Sequence, residues 1–338
     1  MPTLTTKAII MAKANTIGTR FLSNQKYTGE LIAAINRANN NGVMIDSAAF
    51  IPAIIITNDA SKTTSCTGLE TLLTIIRPNI RASETCVLKY AISSQYQPVV
   101  TKDTVFAKPQ TTIAGFAFNE TVTQVFADMI SRSVPGYELT LEMIGVISAA
   151  YSQANTNLYD VGCSLGAASF AMQQRAQNGC NIIGIDNSEA MVKRARELVA
   201  SSNINNIHIE LGDARSTEYN NASLITSNFT LQFIPKQDRF ALLQKFANSL
   251  VTGGALVLSE KIDFAEPQQS DTMIKLYHDF KQSRGYSELE VAQKRAALEN
   301  VLIPETLAVH TQRLKEAGFS QVLPWFQCFN FCSIIAIK

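Results

Sequence analysis

The sequence predicts an α/β fold with a mostly parallel sheet, helices on both faces of the sheet and one inserted helical segment. From residue 157 onward, short apolar runs alternate with longer helix-forming stretches, a pattern typical of a parallel sheet. A glycine-containing turn, Asp160 to Gly166, connects the first apolar run to the stretch that follows it. Acidic residues also stand at or just after three successive apolar runs, at Asp160, Asp186 and Asp213.

The elements of this fold follow from the spacing of apolar residues and from turn residues. Apolar residues at a helical period predict an amphipathic helix over 123–132, and a Pro-Gly pair predicts a turn at 134–137 before a second helix over 138–151. The alternating region is predicted as strands at 157–161, 181–186, 206–210, 223–229 and 254–259, and as helices at 167–177, 188–201 and 236–250. After it we expect an inserted helical segment at 268–300, a helix at 305–317, and two strands within 321–337 that complete the sheet edge.

The glycine turn indicates where a ligand would bind. Gly162 and Gly166 permit backbone angles and close approaches that a side chain would block. In open α/β sheets, ligands bind outside the carboxyl ends of the strands, where this turn lies. The turn differs from the dinucleotide fingerprint, because Ser164 stands where the middle glycine would admit a pyrophosphate. No Gly-x-x-x-x-Gly-Lys-Ser/Thr run is present either, which argues against a P-loop.

The acids favour a nucleoside without phosphates. At its distance from Gly162, Asp186 is placed to accept hydrogen bonds from ribose hydroxyls. Asp213 could accept a hydrogen bond from an adenine amino group. S-adenosylmethionine suits this pattern, because it carries a ribose and an amino acid but no phosphate. Any one of these acids could merely cap a helix or close a turn, but three of them around one glycine turn favour binding.

Longer segments are more specific than the turn. They include Asp160-Val-Gly-Cys-Ser-Leu-Gly-Ala-Ala, Gly285-Tyr-Ser-Glu-Leu-Glu and Trp325-Phe-Gln-Cys-Phe-Asn-Phe. With them, residues 102–338 resemble the carboxy-S-adenosyl-L-methionine synthase family, within the S-adenosylmethionine-dependent methyltransferase superfamily. The resemblance implies a Rossmann-like methyltransferase fold.

The resemblance also implies an activity. The family's reaction converts S-adenosylmethionine, as a substrate, and prephenate to carboxy-S-adenosylmethionine, phenylpyruvate and water. The product would pass to a tRNA uridine carboxymethyltransferase that modifies the wobble uridine. The resemblance further implies a homodimer and no metal.

Five expected ligand-binding residues lie at the ends of the first two strands. Gly162, Cys163 and Ser164 are expected to cradle the methionine part of the cofactor through backbone groups. Asp186 is expected to hold the ribose, with Asn187 beside the adenine.

Five more expected residues lie elsewhere in the chain. Asp213 and Ala214 should flank the base, and Asn228 should face the reactive centre at the end of the fourth strand. Tyr137 matches a tyrosine that closes over the cofactor, although a turn residue packed under the first helix is the alternative. Arg295 matches the arginine that binds the new carboxylate and that the neighbouring subunit supplies. Without the resemblance, a solvated helical arginine would be the better interpretation.

Composition excludes several classes of protein. A formal net charge of +1 provides no global basic field for nucleic acid, and no apolar run approaches a membrane span. The six cysteines contain no Cys-x-x-Cys pair, which favours free thiols in a reducing cytoplasm. The three histidines stand in separate segments without zinc-ligand spacing, so we expect no metal site.

Residues 1–101 differ from the rest of the chain. They are rich in Thr, Ser, Asn and Ile, and no acid precedes Glu30. A small appended domain, a loosely folded extension and a wrongly assigned start all fit this composition, which also has some transit-peptide character. We assign this segment no function.

Two other functions stay open at this stage. An ordinary S-adenosylmethionine-dependent methyltransferase acting on a small molecule or RNA would share every cofactor motif, and only Arg295 and the inserted helical motifs argue against it. A non-catalytic partner subunit would not need the intact glycine turn and strand-end acids.

Overall fold

The computed structural model describes residues 101–112 and 114–338. The predicted extension over residues 1–101 therefore lies outside the described residues, except for Thr101. The described helices are α1 (Glu120–Ser133), α2 (Tyr137–Tyr151), α3 (Ala167–Gln173), α4 (Glu189–Ser201), α5 (Lys236–Ser249), α6 (Pro267–Ser283), α7 (Glu288–Leu298) and α8 (Leu307–Glu316). The described strands are β1 (Asn157–Val161), β2 (Asn181–Asp186), β3 (Ile207–Leu211), β4 (Ala222–Asn228), β5 (Leu250–Asp263), β6 (Glu305–Thr306), β7 (Gln321–Cys328) and β8 (Phe331–Ile337).

The sheet has the order β3-β2-β1-β4-β5-β8-β7, and β6 pairs separately with β5. Strands β3, β2, β1, β4 and β5 are mutually parallel, whereas β8 runs antiparallel to both β5 and β7. The direction in which successive strands are added reverses between β1 and β4: β2 and β3 lie beyond β1, and β5 lies beyond β4. This reversal creates a crevice at the carboxyl ends of β1 and β4. This arrangement confirms the predicted Rossmann-like methyltransferase fold.

Two hydrophobic clusters cover the two faces of the sheet. In β4, Leu224 packs into a cluster that includes side chains of α2, α3 and α4, whereas its neighbour Ile225 packs into a cluster with α5 and α8. Successive strand residues point to opposite faces, so helices on both sides are required to bury them. Fully burying an aliphatic or aromatic side chain, such as Phe246 in α5, contributes about 1.5–3 kcal/mol. The crevice therefore lies at the end of a sheet that is buried on both faces.

The structure differs from the sequence prediction in a few places. The helix predicted over 167–177 ends at Gln173, and β5 is much longer than predicted because it begins at Leu250 and continues to Asp263. The inserted segment is two helices, α6 and α7, separated by a turn in which Gly285 has a φ of 86°. A side chain at that φ would be strained.

The two carboxyl-terminal strands are confirmed, but only one lies at the edge. Strand β8 inserts between β5 and β7, and its burial is almost complete because it has a neighbour on each side. Strand β7 forms the edge and is largely half-buried or exposed. In the part of the chain described above, none of the helices is long and apolar enough to cross a membrane.

Candidate functional site

The glycine turn after β1 is held to the end of β2 by backbone bonds. The N–H groups of Gly162 and Cys163 both donate to the carbonyl oxygen of Ile185, at 2.8 and 3.0 Å. Gly162 has a φ of 72°, and an added Cβ would overlap the side chain of Thr230. Because these two N–H groups are engaged, they are not available as donors to a methionine moiety.

The side chain of Cys163 packs in the interior next to the turn. The side chain is buried, and burial raises the pKa of the thiol well above its ordinary value, with the nearby charge of Asp160 adding to the effect. The neutral thiol is therefore not a nucleophile at neutral pH.

Asp160 joins β1 to the helix that follows the turn. Its Oδ2 accepts hydrogen bonds from the backbone N–H and the hydroxyl of Ser169, at 2.8 and 2.7 Å. Burial is the main cause that raises the pKa of Asp160, to about 6 in total; the charge of Asp186 contributes to this rise, and the bonds from Ser169 partly offset it. The sequence grouped Asp160 with the ligand-facing acids, and the structure gives it a visible role in fixing the turn onto α3.

Asp186 occupies the expected position at the end of β2. Its carboxylate accepts hydrogen bonds from the N–H of Ser164 at 2.8 Å and from the N–H of Ser188 at 2.9 Å. Burial raises its pKa, and these two bonds partly offset the rise. Each carboxylate oxygen has a further lone pair, so both can also accept from the hydroxyls of a ribose. Asn187 lies next to it in the cavity wall.

Asp213 is already engaged by an arginine. It lies two residues beyond β3, and its Oδ2 is 2.6 Å from the guanidinium of Arg215, which also reaches Asp238 at 2.9 Å. The hydrogen bond from Arg215 is the main cause of the lowered pKa of Asp213. An adenine amino group would have to share this carboxylate with Arg215. The carbonyl oxygen of the adjacent Ala214 accepts from Tyr219 at 2.9 Å.

Asn228 provides an acceptor without a partner. It ends β4, and its Oδ1 is buried without a hydrogen bond from any described residue. Leaving such an atom unpaired costs about 1–3 kcal/mol, which a donor on a bound ligand would offset. Asn228 lines the same cavity as the glycine turn, so this oxygen could accept from an ammonium or hydroxyl group of a ligand bound there.

Tyr137 begins α2 above the same cavity. Burial raises the pKa of its phenol, and the charge of Asp160 raises it further, so the hydroxyl remains protonated. The preceding Gly136 has a φ of 74°, and an added Cβ would lie 2.5 Å from the ring of Phe326. The glycine therefore sets the entry of the chain into α2.

The ten sequence-predicted residues all line one cavity of about 420 Å³. They are Tyr137, Gly162, Cys163, Ser164, Asp186, Asn187, Asp213, Ala214, Asn228 and Arg295. The cavity lies at the carboxyl ends of the parallel strands, so the structure brings together residues that are spread over most of the described chain. Their roles toward a ligand stay predictions.

Three lysines that the sequence analysis did not assign line the same cavity together with Arg295. We call Lys261, Lys281, Lys294 and Arg295 the cationic wall; they come from β5, α6 and α7. His278 of α6 lies beside them, and burial together with the charge of Lys281 lowers its pKa. Neither periodicity nor spacing in the sequence points to Lys261 or to Lys281 and Lys294, the two buried lysines of the inserted helices.

The members of the cationic wall differ in their partners. Lys294 donates to the hydroxyl of Ser133 at 2.8 Å and lies 3.7 Å from the carboxylate of Asp103. Burial lowers the pKa of Lys294 to about 8. Arg295 is exposed at the cavity, and no described residue forms a hydrogen bond or ion pair with it.

Aromatic rings complete the cavity. The ring of Phe331, at the start of β8, lies 5.0 Å from Tyr277 and 5.9 Å from Phe229 in edge-to-face contacts. All three also line the cavity. Phe331 is therefore a buried residue that also lines the site.

Comparisons with known proteins identify the family. A methyltransferase-domain model matches residues 158–254. The carboxy-S-adenosyl-L-methionine synthase of Trichlorobacter lovleyi is 52% identical over 239 residues, which cover 70% of this chain and 98% of that protein. The synthases of Geobacter sp. (strain M21) and Hahella chejuensis are each 50% identical, over 239 and 244 residues, with the same coverage.

The chain belongs to the carboxy-S-adenosyl-L-methionine synthase family. As an enzyme of this family it has the S-adenosylmethionine-binding methyltransferase fold. The cofactor fits the site described above, because the unpaired oxygen of Asn228 and the spare lone pairs of Asp186 complement its ammonium and ribose groups. Within the described ranges, no group of three or more His, Cys, Asp or Glu residues is arranged to hold a metal ion.

Arg295 lines the cavity of its own chain. The resemblance implied that the neighbouring subunit supplies it. In the single chain described here, Arg295 already lines the chain's own cavity, near enough to Lys261 and His278 for its charge to lower the pKa of each. A carboxylate in this cavity could therefore meet the arginine of its own chain.

Proposed function

We propose that this synthase converts S-adenosylmethionine and prephenate to carboxy-S-adenosylmethionine, phenylpyruvate and water. The observation that carries the proposal is the presence of two different walls in one cavity. One wall, with Asp186 and Asn228, suits the ribose and amino acid of the cofactor. The cationic wall suits a dianionic acid and the carboxylate that appears on the product.

The proposed reaction balances without a side-chain nucleophile. The ring carboxyl group of prephenate leaves as carbon dioxide, and its hydroxyl group leaves as hydroxide while the ring becomes aromatic. The methyl carbon next to the sulfonium loses a proton and takes up the carbon dioxide; the proton and the hydroxide form water. The protein's tasks are to position the two substrates, to complement their charges and to keep bulk water away from the reactive carbon.

Arg295 is the residue that we assign to the new carboxylate. A guanidinium can donate two parallel hydrogen bonds to one carboxylate, which a lysine cannot do. We propose that the enzyme is a homodimer, as the family resemblance implies. The arginine would then reach the site either from its own chain or across the dimer interface.

We further propose that the product serves a tRNA uridine carboxymethyltransferase, and that the enzyme works in the cytoplasm without contacting nucleic acid. The free cysteines among the described residues, Cys163, Cys180, Cys328 and Cys332, support a reducing compartment. The formal net charge of +1 supports the absence of a nucleic-acid surface.

Mass spectrometry of the purified enzyme with both substrates tests the reaction. We expect phenylpyruvate and a nucleoside heavier than S-adenosylmethionine by one carboxyl group, and neither product when prephenate is omitted. The Asp186→Ala variant should form both products more slowly at limiting cofactor. Methyl transfer to a small molecule or RNA, without a carboxylated nucleoside, would instead assign an ordinary methyltransferase and overturn the proposal.

A further inference from the structure

Two lysines of the cationic wall share one aromatic ring. The Nζ atom of Lys261, near the end of β5, lies 5.2 Å from the ring centroid of Tyr277, and the Nζ atom of Lys281 lies 5.1 Å from the same centroid. Tyr277 and Lys281 are four residues apart on α6, so they occupy one face of that helix. Both ammonium groups and the ring line the cavity.

No described carboxylate pairs with Lys281. The residue is 3% exposed; the charge of Asp103 raises its pKa, but the ion pair of Asp103 is with Lys294, at 3.7 Å. Burial, together with the charges of Lys294 and Lys261, lowers the pKa of Lys281 to about 7. A buried ammonium without a counterion is costly, so a bound anion would stabilise this part of the cavity.

Lys261 has a similar environment. Burial lowers its pKa, the charge of Arg295 lowers it further, and Asp263 at the end of β5 opposes the effect. Asp263 already accepts a hydrogen bond from Ser270 at 2.6 Å. Cations from β5, α6 and α7 thus line one cavity. Among the described residues, Asp103 pairs with Lys294, and no carboxylate forms an ion pair with Lys261 or Lys281.

The proposed acid substrate carries two carboxylates with different fates. The ring carboxylate leaves the acid and ends on the cofactor, where we assign Arg295. The carboxylate of the 2-oxo acid side chain stays on the acid throughout and needs a partner of its own. We infer that Lys261 and Lys281 bind this retained carboxylate, and that the rings of Tyr277 and Phe331 contact the six-membered ring of the acid.

This inference rests on the proposed function for the identity of the acid, but its test does not. Phenylpyruvate keeps the 2-oxo acid carboxylate and lacks the ring carboxylate, so it probes the lysine subsite alone. Calorimetry should measure phenylpyruvate binding to the full-length enzyme saturated with S-adenosylmethionine. We expect the Lys281→Met variant, and separately Lys261→Met, to bind phenylpyruvate about tenfold or more weakly than the unaltered enzyme.

Matched variants control for charge and folding. Lys275→Met removes the same charge from an exposed position on the same helix, outside the cavity, and should leave phenylpyruvate affinity unchanged. Methionine keeps the length of the buried lysine and removes its charge, so the fold should be retained; Lys281→Arg keeps the charge and should restore part of the binding.

The outcomes separate the inference from the proposed function. With prephenate as substrate, Lys281→Met should raise KM about tenfold and change kcat much less. If the unaltered enzyme does not bind phenylpyruvate, or if both lysine variants bind it normally, the subsite is refuted even when carboxylated product forms. If no carboxylated product forms but phenylpyruvate binding depends on Lys281, the proposed function fails and a subsite for an aryl 2-oxo acid stands.

Discussion

The carboxylate of Asp186 accepts a hydrogen bond of 2.8 Å from the backbone N–H of Ser164, which ties the end of β2 to the glycine turn after β1. Its other oxygen accepts from the N–H of Ser188 at 2.9 Å, just before α4. The side chain expected to hold the ribose therefore also fixes the backbone of the site. Ligand binding and local stability are coupled through this one carboxylate.

Replacing Asp186 with alanine should weaken both binding and the fold. Removing the acceptor of the ribose hydroxyls should lower S-adenosylmethionine affinity roughly tenfold to a hundredfold. Two N–H groups in a largely buried region also lose their partner, at about 1–3 kcal/mol each where water does not replace it, so thermal unfolding without ligand should begin at a lower temperature. Asp186→Asn keeps one acceptor oxygen, so its unfolding temperature should be closer to that of the unaltered enzyme. Unchanged cofactor affinity in Asp186→Ala, measured by calorimetry, would remove the assigned role.

Replacing Gly162 with alanine should disrupt the turn. The new Cβ would overlap Thr230, and the φ of 72° is strained for any residue with a side chain. We expect a loss of stability larger than about 1 kcal/mol and weaker cofactor binding. Adding Thr230→Ala should relieve the overlap but not the backbone strain, so the double variant should recover part of the stability. A double variant no more stable than Gly162→Ala would show that the overlap is unimportant.

The positions of most strands and the position of the cavity could be predicted from sequence because local patterns encode them. The apolar runs at β1, β2 and β4 have the length of buried strands, and the turn at Gly162 needs a residue without a side chain. Strand ends in a parallel sheet meet at one edge. Residues as distant as Asp186 and Asn228 could therefore be assigned to one site.

What the sequence did not reveal depends on side-chain direction and on contacts between distant segments. The pairing of Asp213 with Arg215 requires a particular orientation of an arginine that could equally point into solvent. Lys261 and Lys281 meet at Tyr277 only because the fold brings this ring of α6 within 5.2 Å of the Lys261 ammonium, near the end of β5. The position of β8 between β5 and β7 likewise depends on tertiary contacts. Apolar patterning alone does not decide whether β7 or β8 pairs with β5.

A buried ion pair between α5 and β6 should govern stability at low pH. Arg239 is fully buried and pairs with Glu305, which Arg313 also contacts at 2.7 Å. Burial alone would raise the pKa of Glu305, but the hydrogen bonds from Arg313 and Arg239 outweigh it and bring the pKa to about 2. Because this pKa lies below the unfolded value of about 4.3, the stabilisation is complete above that value and is lost as the pH falls toward 2.

The Glu305→Gln variant tests this pair. It leaves the Arg239 guanidinium buried without a counterion, so chemical denaturation at neutral pH should show a loss of about 3–5 kcal/mol. The difference from the unaltered enzyme should shrink as the pH is lowered below about 4. Glu218→Gln, at a largely exposed carboxylate paired with Lys245, should change stability by less than about 1 kcal/mol. A constant difference across the pH range would contradict the assignment.

A chain that starts at Thr101 should fold and bind S-adenosylmethionine. The relatives described above match 70% of this chain over 98% of their own length. The described sheet and its two hydrophobic clusters close within residues 101–338. Thermal unfolding with and without the cofactor measures both properties. Insoluble protein, or loss of the cofactor-induced stabilisation, would show that residues 1–100 contribute to the domain.

Replacing Arg295 with alanine should separate the two forms of the cofactor. Only carboxy-S-adenosylmethionine carries the extra anion, so its affinity should fall far more than that of S-adenosylmethionine. A partly buried bidentate pair could contribute a few kcal/mol, whereas an exposed one would give less than about 1 kcal/mol. Arg295→Lys should recover only part of the affinity for carboxy-S-adenosylmethionine, because a lysine ammonium lacks the planar, two-pronged donor geometry of a guanidinium. Equal weakening of both ligands, measured by calorimetry, would remove the carboxylate role.

The same variant decides which chain supplies the arginine. When Arg295→Ala subunits are mixed with Asp186→Ala subunits, a heterodimer that uses the arginine across the interface has one site with an intact cofactor pocket and an intact arginine. That mixture should regain activity. If each chain uses its own Arg295, as the position of this residue in its own cavity permits, every site of the heterodimer carries one defect and activity should stay low. Subunit exchange must be verified by mass spectrometry of differently tagged chains, since unmixed homodimers would also remain inactive.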